Sequence, residues 1–152
     1  MPELTGHMLH FAYGEDLSRT VFTQVCAGAE WFGPARLDGH RLLFDAIGRA
    51  NVRTDAGSTV WGALWLVPAS MLPILDTSAP EGYVRTTRRI VSPAGPRTEA
   101  TLYLSTKRGE SAPTKERLRA MIDAAHENRL PAAYIKELEE LGSPGKSAKD
   151  SR

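Results

Sequence analysis

Thr59-Val60-Trp61-Gly62-Ala63-Leu64-Trp65-Leu66-Val67 is the most apolar run of the chain. A strand with one face in water alternates in polarity. A run apolar at nearly every position instead suits a strand covered on both faces. Gly62, inside the run, marks a bend or a close approach of another backbone. Trp61 and Trp65 lie four apart, so in a strand they share a face and read as core. A chain built around such a strand needs sheet partners and a covering layer, and both can be sought on either side of it.

After this run, Ser70–Leu75 predicts a single helical turn limited by Pro73, and Asp76–Gly82 (DTSAPEG) reads as a loop. Tyr83–Val91 and Thr98–Ser105 predict two antiparallel strands joined by the turn SPAGP. In the second, Ala100, Leu102 and Leu104 alternate with Thr101 and Tyr103, as in a half-buried strand. Before the run, Asn51–Ser58 is turn-like, Arg41–Phe44 predicts a brief strand, and Gly28 and Gly33-Pro34 act as breaks. Leu17, Val21 and Val25 fall at i, i+4 and i+8, predicting a short helix that Asp16 or Ser18 would cap. His7–Tyr13 predicts a first strand that stops at Gly14.

The last third changes character. Thr114–Asn128 predicts an amphipathic helix with Leu118, Met121, Ile122 and Ala125 on one side and Pro113 at its start. Pro131 opens a second helix, with Tyr134, Leu138 and Leu141 on one stripe and Gly142 ending it. Residues 142–152 hold no apolar side chain except Ala148 and read as a disordered tail, leaving one folded domain over residues 1–141. The class is α+β: a curved or barrel-like sheet first, covering helices after.

The 152 residues suffice for one compact domain, and a 41% hydrophobic fraction fills a core. Nineteen Lys and Arg against 18 Asp and Glu leave +1, so no overall field draws the chain to nucleic acid or anionic lipid. The Arg85, Arg88, Arg89 and Arg97 region has few interleaved aromatics and reads as a solvated strand face. A lone cysteine, Cys26, excludes an internal disulfide and reads as a small buried hydrophobe. His7, His10, His40 and His126 form no ligand cluster and read as structural. Without an apolar run of membrane-crossing length or a signal-like start, a soluble, cytoplasmic protein is expected.

Several pieces, in order, resemble the gamma-glutamylcyclotransferase-like family. Phe11-Ala12-Tyr13-Gly14 with Leu17 is similar to that family's opening FAYGSNL. Gly33-Pro34-Ala35-Arg36-Leu37, a strand over Gly39–Asp45, and Asn51-Val52 follow. Val60-Trp61-Gly62-Ala63-Leu64-Trp65 resembles its V-W-G-hydrophobic-hydrophobic-W strand. Leu75-Asp76 opens its catalytic loop, Tyr83-Val84-Arg85 matches a Y-x-R, and Ala125–Pro131 with Tyr134 is similar to G-A-x-E-x-G-L-P-x-x-Y. The resemblance spans about residues 8–141.

It implies a small mixed β-barrel with covering C-terminal helices. It also implies release of 5-oxoproline from a γ-glutamyl amine or γ-glutamyl-protected metabolite, without metal or organic cofactor. Homodimers occur in the family, and the partner implied is a small γ-glutamyl compound. In such chemistry the substrate's own α-amine attacks its γ-carbonyl, so the protein folds the glutamyl chain and moves one proton. Tyr13, Gly14, Glu15, Asp16, Leu17, Tyr83 and Arg85 are the implied substrate-binding positions. Backbone N–H groups of the first turn are the implied donors to the developing oxyanion.

Two departures stand out. The family's catalytic Glu closes L-D-x-x-E, whereas Leu75-Asp76-Thr77-Ser78 here leads to Ala79, whose methyl group moves no proton. Natural loss of that chemistry, a substitute acid (Glu81 nearest, or Glu15 or Asp16), and a deliberate replacement of glutamate by alanine are three open readings. Gly14-Glu15-Asp16-Leu17 also replaces G-S-N-L. Two carboxylates pointing inward would repel an acidic ligand and favour an amine. Alternatively, Asp16 caps the helix and Glu15 points to water.

Overall fold

A computed structural model describes residues 6–14 and 16–141. Glu15 and the tail expected over 142–152 lie outside the described residues. Five strands, β1 (His7–Ala12), β2 (Glu30–Phe44), β3 (Ala50–Pro68), β4 (Tyr83–Val91) and β5 (Arg97–Ser105), close a barrel in the order β1-β3-β2-β4-β5. All neighbours are antiparallel except β1 and β5, which meet in parallel at His10 and Thr101. This is the mixed barrel expected from the sequence.

The apolar run forms the second half of β3, and Val60, Ala63, Leu64, Trp65 and Val67 are all buried. Register sets His10 opposite Trp65 and Phe11 opposite Leu64, so the two pairs occupy opposite faces of the β1–β3 ribbon. Helix α1 (Arg19–Val25) covers the His10–Trp65 face: the Phe22 ring lies 5.3 Å from His10 and 4.5 Å from Trp65. The expected close approach at Gly62 is present, since a Cβ there would stand 2.3 Å from the Ala12 carbonyl oxygen.

Four local expectations are corrected. Asn51–Ser58 is strand rather than turn, and the brief Arg41–Phe44 strand is the end of the much longer β2. Gly33-Pro34 and the DAGS stretch, which look like breaks, lie at bulges within one long hairpin, whereas Gly28 does break the chain, in the turn before β2. Register shifts between Trp31 and Gly33, and again across Gly39, which alone faces Asp55–Ser58. In α1 the stripe Leu17-Val21-Val25 is not the core face. Leu17 precedes the helix and so does not set its phase; Phe22 is buried and Val21 is exposed. Ser18, not Asp16, caps it, its hydroxyl accepting from the Val21 N–H.

Pro73 starts a helix instead of limiting one. A 3-10 turn, Ala69–Met71, runs into α2 (Leu72–Ser78) with Pro73 in the first turn, where a missing N–H costs nothing. The loop expected from Asp76 is therefore helical as far as Ser78, and Ala79 ends the helix by donating its N–H to the Leu75 carbonyl.

The remaining helices match the sequence reading. Thr114 caps α3 (Lys115–Glu127), accepting from the Arg117 N–H at 3.1 Å, and Leu118, Met121, Ala124 and Ala125 are buried. In α4 (Ala132–Leu141) Tyr134, Ile135 and Leu138 are buried. Buried Asn128 ties this layer to the barrel: its amide donates to the Leu17 and Ala124 carbonyls and its oxygen accepts from Trp31 Nε1. Arg129, next to it, has φ +61°. Among the described residues no helix is long and apolar enough to cross a membrane.

Candidate functional site

β1 delivers the chain to one wall of a cavity of about 160 Å³. Tyr13 and Gly14 follow the strand directly. Gly14 must be glycine for space, because a Cβ would meet the Ala50 Cβ at 2.7 Å. The turn closes where the Leu17 N–H donates to the Gly14 carbonyl at 3.0 Å. Asp16, inside that turn, lines the cavity, and His10 Nε2 stands 2.8 Å from its Oδ2. An ionised carboxylate only accepts, so the proton between them sits on Nε2.

The end of α2 makes the facing wall through Leu75, Ser78, Ala79 and Pro80. Three side chains hold it in place. Tyr103 donates its phenol to Asp76 Oδ1 at 2.6 Å, and Arg85 Nη1 reaches the two oxygens of the same carboxylate at 3.1 and 3.3 Å. Tyr83, at the start of β4, donates to the Ala50 carbonyl. Phe22 of α1 contributes a third side.

The turn after β1 and the stretch at position 79, distant in sequence, thus border one hollow. Tyr13, Gly14, Asp16, Ala79 and Tyr83 line it. Leu17 is buried away from it, Arg85 acts through Asp76, and Glu81 is exposed and not part of the lining. Thr77 and Ser78 spend their hydroxyls on the carbonyls of Pro73 and Leu75 within α2.

Sequence reading missed two contributors. Tyr103 was visible only as a polar position of an alternating strand, yet its ring lines the cavity. His10 reads as a structural histidine; it is fully buried but bonded to a carboxylate that faces the cavity. No sequence signal pairs those two residues, because the turn between them decides where Asp16 points.

The electrostatics of the site are simple. Burial raises the Tyr13 phenol well above its ordinary range, with the neighbouring Tyr83 phenol and the Asp16 and Asp45 carboxylates adding to the shift. Burial also raises Tyr103, reinforced by its hydrogen bond to Asp76. Both therefore stay neutral phenols at physiological pH. Among the described residues Asp16 is the one charged side chain in the lining, and no group of three His, Cys, Asp or Glu could hold a metal.

The AIG2-like family matches residues 59–138. A solved gamma-glutamyl cyclotransferase is similar at 27% identity and TM-score 0.80, over 88% of this chain and 86% of that one. An uncharacterized protein from Homo sapiens is similar at 26% identity and TM-score 0.80, over 88% and 87% of the two chains. YkqA from Bacillus subtilis, at 22% identity and TM-score 0.77 over 90% of this chain and 55% of its own, shares the fold. No curated protein matches the sequence. With more than half its length inside the family match and the barrel in common, the chain belongs to the AIG2-like, gamma-glutamyl cyclotransferase-like family.

Proposed function

We propose that the cavity is the site of a gamma-glutamyl cyclotransferase-type reaction, with Ala79 standing where a proton-carrying glutamate is needed. The substrate class is a small γ-glutamyl amine or γ-glutamyl-protected metabolite, and the product of the full reaction is 5-oxoproline. The observation that carries this reading is the position of Ala79, which lines the same hollow as the Tyr13-Gly14 turn.

The chemistry needs little from the protein beyond placement. The α-nitrogen of the glutamyl group bonds to its own γ-carbonyl carbon, the amide C–N bond breaks, and the proton lost by the attacking nitrogen ends on the leaving amine. A cavity that holds the chain folded converts this into a favoured intramolecular step. A carboxylate that carries the proton is worth roughly 10²–10⁴-fold in rate. A methyl group contributes none of that factor, so the chain with Ala79 binds and folds its ligand but turns it over slowly.

The test is Ala79→Glu, assayed by 5-oxoproline release from a panel of γ-glutamyl amines. The variant is expected to exceed the unmodified chain by roughly 10²-fold or more. No product from either chain with any panel member overturns the reading. Ala79 equally favours a second reading, a binding protein that kept the hollow and lost the acid–base group. Calorimetry with the unmodified chain would then give γ-glutamyl binding with no turnover, and Ala79→Glu would gain nothing.

A further inference from the structure

We propose that Asp16, held by His10, is a seat for a primary ammonium group, so that the ligands of this cavity are organic amines carrying that group on an acyl or apolar body. The proposal takes from the preceding reading only the location of the ligand site, and it names the part of the ligand that this chain recognises.

The first support is an unused acceptor. His10 Nε2 donates to Asp16 Oδ2, and Oδ1 of the same carboxylate takes no hydrogen bond from the described residues. The Asp16 side chain is 37% exposed and lines the cavity, while its His10 partner is fully buried. One oxygen is thus anchored and the other presented. An ammonium group, with three donors and a positive charge, satisfies such an oxygen better than any neutral donor.

The anchor is rigid. The His10 ring stacks on Phe22 at 5.3 Å with 11° between planes, tilts against Tyr103 at 5.9 Å, and has Nδ1 3.4 Å from the Thr101 hydroxyl. Asp16 therefore does not swing freely, and a ligand that binds it does not bear the cost of immobilising it.

The surroundings also favour a cation. Among the described residues no Lys, Arg or His lines the cavity, and the one basic side chain paired with Asp16 is His10, buried behind it at 2.8 Å. Tyr13, Phe22, Tyr83 and Tyr103 supply aromatic walls, whose negative ring faces attract an ammonium group. The charge of Asp16 is among the influences that push the Tyr13 and Tyr103 phenols upward, the same field an incoming cation would meet with the opposite sign. A ligand carboxylate beside Asp16 is repelled, so removing the α-carboxylate of a γ-glutamyl amine should help binding.

Three probes separate these ideas by titration calorimetry on the full chain: γ-glutamyl-butylamide, its N-acetyl derivative, and 4-aminobutanoyl-butylamide, which keeps the ammonium and lacks the carboxylate. Both ammonium-bearing probes are expected to bind, the decarboxylated one more tightly, and N-acetylation to weaken binding by about tenfold or more. Asp16→Asn should erase the preference for the ammonium form, whereas a merely structural Asp16 would weaken all probes alike. Should Asp16→Asn fail to fold, the comparison of acetylated and free amines on the unmodified chain decides. Equal binding of the acetylated and free γ-glutamyl probes overturns the ammonium seat and leaves the γ-glutamyl site standing. Binding of 4-aminobutanoyl-butylamide alone supports the seat and removes the γ-glutamyl reading, and binding of none of the three removes both.

Discussion

Tyr103 and Asp76 meet at the edge of the cavity, the phenol donating to Oδ1 at 2.6 Å while Arg85 holds the same carboxylate from β4. This contact fastens the last turn of α2 to the β4–β5 hairpin, and the wall carrying Ala79 extends directly from it. The carboxylate and guanidinium are both over one-third exposed. Exposed ion pairs contribute about 0–1 kcal/mol, and a single hydrogen bond adds a similar amount.

Asp76→Ala should therefore lower global stability by only about 1–2 kcal/mol. Its larger effect should be local. Amide hydrogen exchange over residues 75–79 is expected to accelerate well beyond that of β3, and ligand affinity to fall with it. Unchanged protection of this segment in Asp76→Ala would show that α2 is held by its packing through Leu75 instead.

What the sequence discloses and what it hides follows from which interactions are local. The continuous apolar half of β3 announces itself because Gly62–Val67 are buried without a break, and α3 and α4 announce themselves by period and, for α3, by its cap. Asn51–Ser58 misleads because most of its polar residues are at least partly exposed, and because DAGS, a turn sequence, is used as a bulge in the hairpin. Val21 and Val25 mislead because a seven-residue helix is too short for periodicity to select its buried face. The ordered motifs place Ala79 and the first turn at the site, but the direction of the Asp16 side chain depends on His10 in the neighbouring strand. No local pattern contains that pairing.

Arg129 occupies the left-handed region at φ +61°, at the position where the family motif has glycine. Its side chain is exposed, so no core packing rests on it. A non-glycine residue there costs roughly 1–2 kcal/mol, which glycine avoids while losing some of the gain to its freer unfolded state. Arg129→Gly should stabilise the fold by about 0.5–1 kcal/mol, a rise in Tm of roughly 1–4 °C. Thermal melts of the two proteins settle the sign; a lower Tm for the glycine variant would mean that Arg129 makes compensating contacts.

Gly62 gives the opposite case. An added methyl would lie 2.3 Å from the Ala12 carbonyl oxygen and 2.9 Å from the Phe11 ring, neither a flexible side-chain end. The β1–β3 register, which sets Ala12 against Ala63, would have to open at that point. Gly62→Ala is expected to cost about 3 kcal/mol or more, above the usual range for overpacking because backbone itself is in the way. Denaturant titration reads this directly, and a loss under 1 kcal/mol would place the two strands farther apart than described.

Asp45 links stability to pH. It is fully buried at the β2–β3 connection, where Oδ1 accepts from the Ile47 and Arg49 N–H groups at 3.0 Å and Oδ2 accepts from the Ser105 hydroxyl. Burial alone would raise its pKa, but the bonds from Ser105, Arg49 and Ile47, with the Arg49 charge, outweigh burial and hold it below the usual carboxylate value. A lowered folded pKa means that the folded state prefers the ionised form. The stabilisation is then complete above the unfolded value, about pH 4, and is lost as pH falls through the folded one. Urea melts at pH 7, 5, 4 and 3 should show the midpoint falling mainly below pH 4. Asp45→Asn, which has no proton to take up, should be less stable at pH 7 and show a flatter decline across that window. The same slope in both proteins would assign the acid sensitivity to other carboxylates, with Glu110, lowered by its hydrogen bond from Arg41, the next to substitute.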